Sequence, residues 1–142
     1  MWSHNFILGY SATDTVLLDF DNTPFKTVKY WARVLMKRFQ LEGFIILKSS
    51  EKSYHVVFNQ KVSWSENVKA MAWASMYSKI FELDTWFHMQ CIKESSTLRI
   101  SPKGEKPSPR IVYLEGKQDC RIVEFLKWRK YIKKIIKNVS QI

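Results

Sequence analysis

Two aspartates separated by one residue, Asp19 and Asp21, end the apolar run Val16-Leu17-Leu18. Side chains alternate between the faces of a β-strand, so both carboxylates are expected on one face, while Leu18 and Phe20 point into the core. Carboxylates held this close repel each other in apolar surroundings, and a divalent cation between them removes the repulsion. The pair therefore predicts a metal site. A solvated strand end with two turn-forming acids is the alternative.

A histidine follows a serine-rich turn further along the chain. The turn carries Ser49, Lys52 and Ser53, and His55 lies one residue into the next apolar run. Hydroxyl and ammonium groups donate hydrogen bonds to phosphate oxygens, and an imidazole beside them adds another donor. This cluster predicts a phosphate-binding end of a hairpin; a surface histidine without a ligand is the alternative.

A third cluster places Arg99 and Ser101 on one face of a predicted strand, with Lys103 at the start of the loop beyond and Arg110 after that loop. These side chains also donate to phosphate, although a basic hairpin tip has the same composition. Taken together, a metal site and two phosphate-binding clusters are the equipment for nucleotidyl transfer, in which the protein mainly positions groups and neutralises charge.

The ordered set resembles the archaeo-eukaryotic primases. Leu18-Asp19-Phe20-Asp21 resembles their hhDhD first motif, and residues 49–58 resemble their second motif, in which a histidine follows a small residue in a strand. Residues 98–103 look like the R-x-x-S-K segment of the primase-polymerase branch, with spacing one residue tighter. The resemblance spans about residues 15–113.

This resemblance implies a DNA primase or polymerase domain with an RRM-like catalytic core, acting in DNA replication. Asp19 and Asp21 would be ligands of Mg²⁺ or Mn²⁺, and His55 and Arg99 would contact the incoming nucleotide, with Lys52, Ser101 and Lys103 orienting its triphosphate. The implied partners are single-stranded or template DNA, nucleoside triphosphates and other replication or primase subunits.

One departure from the family pattern leaves catalysis open. Members carry a third metal-binding acid shortly before the arginine strand, where this chain has His88, Gln90 and Cys91. Asp84 and Glu94 are the nearest carboxylates and fit the pattern poorly. A non-catalytic nucleic-acid-binding accessory subunit of a primase is therefore the alternative function.

A second enzyme class shares the aspartate pair. Residues 19–23, Asp-Phe-Asp-Asn-Thr, also resemble the DxDxT nucleophile motif of haloacid dehalogenase-type phosphatases. That class needs a parallel α/β scaffold and a later pair of acids. The acids after residue 84 are unpaired, and the hairpin over residues 44–58 is antiparallel, so this alternative is the weaker one.

Composition and charge favour a polyanionic partner. The 142 residues carry a net charge of +10, and eight cations against two acids place +6 of it in residues 117–142. Such a field attracts nucleic acid, although a lysine-rich solvated surface has the same signature. The cations expected to contact nucleic acid are Arg110, Lys127, Lys130, Lys133, Lys134 and Lys137.

The remaining composition bounds the class of protein. Apolar content of 46% argues against disorder, and the longest apolar runs, such as residues 44–47, are too short to cross a bilayer. Residues 1–4 show no start of a signal peptide, and the two cysteines, Cys91 and Cys120, form no disulfide framework. We expect an intracellular protein that does not insert into a membrane.

Periodicity predicts the elements that must position these groups. Strands are expected over residues 15–21, 44–47, 54–58, 96–101 and 110–114, and helices over 25–40, from Ser63 or Ser65 to about 81, near 84–91 and over 118–138. Thr23-Pro24 is expected to cap the first helix and provide its first-turn proline. The order predicts a single α+β domain over residues 1–142, with one antiparallel or mixed sheet, helices packed on one face and a basic C-terminal helix.

Overall fold

The computed structural model describes residues 7–140, which form a single α+β domain. The strands are β1 (Gly9–Ala12), β2 (Thr15–Phe20), β3 (Gly43–Ser50), β4 (Ser53–Lys61), β5 (Ser96–Arg99) and β6 (Arg110–Gly116). The helices are α1 (Phe25–Phe39), α2 (Trp64–Ser78), α3 (Phe81–Lys93) and α4 (Arg121–Ser140). The residues on which the expectation of no signal peptide rests lie outside the described part.

The strands form two antiparallel sheets instead of one. A four-stranded sheet has the order β2-β4-β3-β6, and β1 pairs with β5 in a separate two-stranded sheet. The prediction that residues 96–101 and 110–114 join the same sheet is wrong. The strand β5 takes β1 as its partner, and β1 was not predicted because Gly9–Ala12 is only four residues long and rich in small residues.

Helices cover both faces of the four-stranded sheet, so the prediction of helices on one face is also wrong. On one face Leu18 and Phe20 pack with α1, α2 and α3. On the other face Leu17 packs with α4, β1 and β5. The physical reason lies in β3, where residues 44–47 are apolar at every position. A strand with apolar residues on both faces must be buried on both faces, so the sheet needs a layer of packing on each side.

The N-termini of α1 and α2 differ in how they are capped. Ser63, rather than Ser65, caps α2 in a reciprocal capping box with Glu66. Pro24 occupies the N-cap position of α1, outside the first turn, and the Thr23 hydroxyl donates to the Asp21 carbonyl instead of capping the helix. The predicted cap at Thr23 is therefore wrong.

The start of α4 is set by a residue about 60 positions away. Asn59, buried in β4, accepts hydrogen bonds from the backbone N–H groups of Cys120 and Ile122 at 2.9 and 3.2 Å. Its amide also donates to the Asp119 carboxylate at 3.0 Å. The helix consequently begins at residue 121 rather than at 118.

The two edges of the four-stranded sheet differ in exposure. The edge strand β2 is almost entirely buried and lies against β5, α2 and α3, whereas β6 is exposed at most of its positions. In the part of the chain from residue 7 to residue 140, no helix combines the length and the apolar character that a bilayer crossing requires.

Candidate functional site

The aspartate pair lies at the end of β2 against the hairpin histidine. Asp19 and His55 are directly opposite each other in the pairing of β2 with β4, and Asp19 Oδ1 lies 3.6 Å from His55 Nε2. Asp21 follows the strand as an exposed residue. The antiparallel register of the two strands therefore brings Asp19 of the first predicted cluster to His55 of the second.

Arg99, the last residue of β5, joins this pair in a fixed orientation. Its guanidinium donates to the carbonyl of Ser49 at 2.8 Å, to that of Pro107 at 3.0 Å and to that of Ser101. Three carbonyl acceptors from two different segments hold the cation in place without neutralising it. Such a preorganised cation can stabilise phosphate charge without rearrangement.

The loop after β5 brings two lysines to the same place. Lys103 and Lys106 exchange two backbone hydrogen bonds of 2.9 Å, which close a tight turn around Gly104. Together with the groups already described, this turn encloses a cleft of about 200 Å³. The cleft is lined by Ile7, Asp19, Asp21, Ser49, His55, Arg99, Lys103 and Lys106.

Burial sets the protonation of the facing pair. Desolvation, with the charge of Asp21, raises the pKa of Asp19 to about 7, although Arg99 and the loop lysines oppose the shift. Desolvation, with the charge of Arg99, lowers the pKa of His55 to about 3. His55 is therefore neutral at physiological pH, and its contact with Asp19 is not an ion pair despite the 3.6 Å separation.

The Asp19 carboxylate is incompletely satisfied within the protein. Its Oδ1 atom is buried and has no hydrogen-bond partner, although the side chain as a whole is 22% exposed. A buried acceptor without a donor is uncommon in folded proteins and calls for a proton or a cation. Mg²⁺ is commonly held by one or two carboxylates plus substrate phosphates, so Asp19 and Asp21 fit a cation that arrives with a nucleotide.

The same residues do not make a dedicated metal cage. Among residues 7–140 there is no cluster of three or more histidine, cysteine or acidic side chains placed to hold a metal ion. The carboxylates nearest to the place of a third acid are Asp84, which accepts from the Ser75 hydroxyl at 2.6 Å, and Glu94, which ends α3 in a left-handed conformation. Gln90, which stands at that place, is a buried amide whose oxygen accepts from the Thr97 N–H.

Several residues predicted for nucleotide binding lie outside the cleft lining. Ser101 is buried, and its hydroxyl oxygen accepts from the Leu8 N–H at 2.8 Å. Lys52 is exposed in the turn between β3 and β4, and Ser53 is buried opposite Ser50. Arg110, which was predicted to contact nucleic acid, begins the edge strand β6 opposite Lys48 and is also outside the cleft lining. The cleft thus contains Ser49, Arg99 and Lys103 from the predicted phosphate-binding set.

Sequence reasoning did not single out Lys106. It lies in the proline-rich loop, three residues after Lys103, and reaches the cleft because the backbone of the loop turns back at Gly104. Gly104 was the available signal, since glycine is favoured in tight turns and a turn there brings the lysines on its two sides close together.

The predicted nucleic-acid contacts on α4 form a separate surface. Lys127, Lys130, Lys133, Lys134 and Lys137 are all exposed on this helix. Between these cations are two exposed aromatic residues that the sequence reasoning left out, Trp128 and Tyr131, whose ring centroids are 5.6 Å apart. Cations interleaved with exposed aromatic rings are typical of surfaces that bind single-stranded nucleic acid.

Comparison with known proteins gives no family for this chain. A scan against protein-family models, a search of curated proteins and a search of solved structures each found no significant match.

Proposed function

We propose that the cleft binds a nucleoside triphosphate together with Mg²⁺ or Mn²⁺, and that the protein is a primase- or polymerase-like nucleotidyltransferase that acts on DNA. The observation that carries this proposal is the convergence of three distant segments. An aspartate pair, a neutral histidine and a fixed arginine line one cleft with two loop lysines. We also propose that the domain has an RRM-like primase core.

In the proposed reaction a 3′-hydroxyl attacks the α-phosphate of the bound nucleotide. The hydroxyl loses its proton, a phosphodiester bond forms, and pyrophosphate leaves. Asp19 and Asp21 are the residues that would hold the cation, which when bound supplies positive charge next to the reacting phosphate. Because Asp19 has a pKa of about 7, it must give up its proton to serve as a ligand.

The remaining residues position the triphosphate. Arg99 offers a guanidinium already held by three carbonyls, and Lys103 and Lys106 add cations from a turn that closes over the cleft. His55, neutral at physiological pH, acts as a hydrogen-bond donor and not as a cation. Most of the catalytic effect would come from positioning and charge neutralisation, as phosphoryl chemistry requires.

Primer extension tests the proposal directly. The wild-type protein, a template–primer duplex, deoxynucleotides or ribonucleotides, and Mg²⁺ or Mn²⁺ should give extended products. The Asp19→Ala/Asp21→Ala double variant should give none, and Arg99→Ala should lower kcat by about 10²-fold or more, the usual cost of removing a preorganised donor.

A matched double variant controls for the loss of two acids. Glu51→Ala/Glu82→Ala removes two carboxylates that do not line the cleft and should extend primers at the wild-type rate. Extension that survives in the Asp19→Ala/Asp21→Ala protein would contradict the assignment of these acids.

A second candidate function is that of a non-catalytic nucleic-acid-binding subunit. It is favoured by the lack of a three-ligand cluster in the described residues and by the exposed lysines and aromatic rings of α4. Primer extension and single-stranded DNA binding by the wild-type protein distinguish the two functions, because an accessory subunit would bind single-stranded DNA and extend no primer. The phosphatase alternative expects a parallel α/β scaffold, whereas every strand pairing in the described sheets is antiparallel.

A further inference from the structure

A second and larger recess lies away from the cleft, between β1 and the N-terminal half of α4. Its volume is about 560 Å³, more than twice that of the cleft. One wall is β1 with the turn that follows it, and the other is α4, which contributes Arg121, Glu124, Trp128 and Ile132. No residue predicted from the sequence for metal or nucleotide binding lies in this groove.

Trp128 gives the groove a fixed aromatic surface. Its indole Nε1 donates to the Glu124 carboxylate at 3.0 Å, one helical turn earlier, and this bond orients the ring. The residue nevertheless remains 45% exposed, so one part of the ring is available to a ligand. An oriented, exposed indole is a stacking platform that accepts any nucleobase, because every base has a π-face.

The charges in the groove separate a base from a phosphate. Two acids, Asp14 and Glu124, and one cation, Arg121, line it. Because Asp14 and Arg121 are paired at 3.4 Å, their charges largely offset each other, and Glu124 leaves the groove negative. A neutral ligand is therefore favoured over a phosphate inside the groove.

The groove also offers backbone hydrogen bonds. Among the strands that the structure describes, β1 pairs only with β5, so the N–H and C=O groups on its other edge take part in no described sheet pairing, and Gly9–Ala12 line the groove. Such groups can bond to the edge of a base that is not already paired with another base. Outside the groove, Lys127, Lys130 and Lys134 lie on the exposed side of α4 at spacings of three and four residues, where phosphates can follow them.

We infer that the groove between β1 and α4 binds an unpaired base of a single-stranded nucleic acid, stacked on Trp128, while Lys127, Lys130 and Lys134 hold the adjoining phosphates. This inference rests on the nucleic-acid-binding part of the proposed function, and it does not depend on chemistry in the cleft. It assigns the groove a ligand of defined class: an exposed base, in preference to a free phosphate or a base within a duplex.

Fluorescence anisotropy with a labelled oligothymidylate measures the contribution of Trp128. Trp128→Ala should weaken binding about tenfold, the usual cost of losing one stacked base, and Trp128→Phe should retain most of the affinity because it keeps an aromatic ring. Tyr77→Ala is the matched control, since it removes an aromatic residue of similar exposure, 55%, on α2 and should leave binding unchanged.

Two further measurements separate recognition of a base from recognition of a phosphate. Trp128→Ala should leave the slope of log affinity against log salt unchanged, whereas Lys127→Ala/Lys130→Ala/Lys134→Ala should make it shallower. An oligonucleotide whose sugars carry no bases should bind the wild type and Trp128→Ala equally.

Two results would overturn the groove assignment. The first is equal oligothymidylate affinity for the wild type and for a folded Trp128→Ala protein. The second is a weakening by Trp128→Ala that persists with the base-free oligonucleotide. Primer extension that depends on Asp19 and Asp21 would still support the proposed function in either case, so the two failures are distinguishable.

Discussion

Asp19 and His55 meet across β2 and β4, and between about pH 4 and pH 6.5 their protonation states are opposite to those of the same groups in water. The carboxyl has a pKa of about 7 and the imidazole a pKa of about 3, both mainly because of burial. At pH 5 the unfolded chain would carry the proton on the imidazole, whereas the folded chain carries it on the carboxyl. Folding therefore changes which group is protonated without changing the number of protons that this pair binds.

The raised pKa of Asp19 gives a prediction for stability. The contribution of Asp19 to the free energy of unfolding is fully present below about pH 4, the pKa of an aspartate in the unfolded chain. It is lost as the pH rises through 7 and the buried carboxyl becomes charged. Asp19→Asn removes this loss, so the variant should be more stable than the wild type at pH 8 by about 1–3 kcal/mol, and similar to it at pH 4. Urea unfolding in the presence of a chelator measures both values.

Asp21→Asn is the comparison variant for this measurement. Asp21 is exposed, and its charge acts on Asp19 through space, so the gain at pH 8 should be smaller than that of Asp19→Asn. Equal stability of the wild type and Asp19→Asn at pH 8 would show that the carboxylate is not destabilised by its surroundings.

The lowered pKa of His55 acts in the opposite direction. Its contribution is present above about pH 6.5 and is lost as the pH falls toward 3, because the buried imidazole must then become charged. In the Asp19→Asn background this contribution is no longer offset by Asp19. The variant should therefore lose stability between pH 6.5 and pH 4, where the wild type changes little from this pair. A pH series of urea unfolding would reveal the difference, and a flat profile in the variant would contradict it.

At the scale of elements, the capping box of α2 provides the clearest local prediction. Ser63→Ala removes the hydroxyl that accepts the Glu66 N–H and should cost about 1 kcal/mol of unfolding free energy. Ser65→Ala removes a hydroxyl from an exposed first-turn position and should cost much less. Thermal unfolding of the two variants side by side tests the assignment, and an equal loss for both would argue against Ser63 as the cap.

The elements that local sequence specifies were predicted, and those that depend on distant partners were not. The hairpin of β3 and β4 and the position of α1 follow from apolar spacing and turn residues within a few positions. The strand β1 becomes ordered by pairing with β5, more than 80 residues later, and α4 begins where Asn59 caps it. Neither interaction leaves a periodic signal in its own segment.

The cleft residues also divide into those that local sequence predicted and those that depend on contacts elsewhere in the fold. Alternation along β2 predicted that Asp19 and Asp21 share a face, and the hairpin predicted the location of His55. Lys106 enters the cleft through a turn whose closing bonds are backbone contacts, and Ser101 is turned to the Leu8 backbone instead. The geometry of the loop, and not its composition, decides which of its polar groups reach the cleft.

At the scale of the whole molecule, positive charge lies on both faces of the four-stranded sheet. The helix α1 carries five cations and no acid, and α4 carries seven cations and one acid. Both helices use some of these cations in contacts of their own. On α1, Arg33 is paired with Glu115 at 2.7 Å and Lys29 lies over the Tyr113 ring, and on α4, Arg121 is paired with Asp14 at 3.4 Å. The helices differ in their aromatic residues, since two exposed rings lie among the lysines of α4, Trp128 and Tyr131, and one lies on α1, Tyr30.

This difference predicts which face binds single-stranded DNA. Changing Lys130, Lys133 and Lys134 together to alanine should weaken binding. The slope of log affinity against log salt concentration should become shallower by about 0.7 for each phosphate that is no longer neutralised. Lys26→Ala/Lys37→Ala/Arg38→Ala, which removes the same charge from α1, should have a smaller effect on both quantities. Anisotropy titrations at several salt concentrations make the comparison. A larger effect from the α1 variant would move the binding surface to the opposite face.

The unequal edges of the four-stranded sheet limit how copies of this protein can assemble. The strand β6 leaves backbone donors and acceptors accessible, while β2 is covered by the rest of the fold. If two molecules joined through their β6 strands, both accessible edges would be used, and each end of the combined eight-stranded sheet would be a covered β2. Edge-to-edge growth of this sheet therefore stops at a pair, and open-ended fibrils built by extending it from folded molecules are excluded by the architecture.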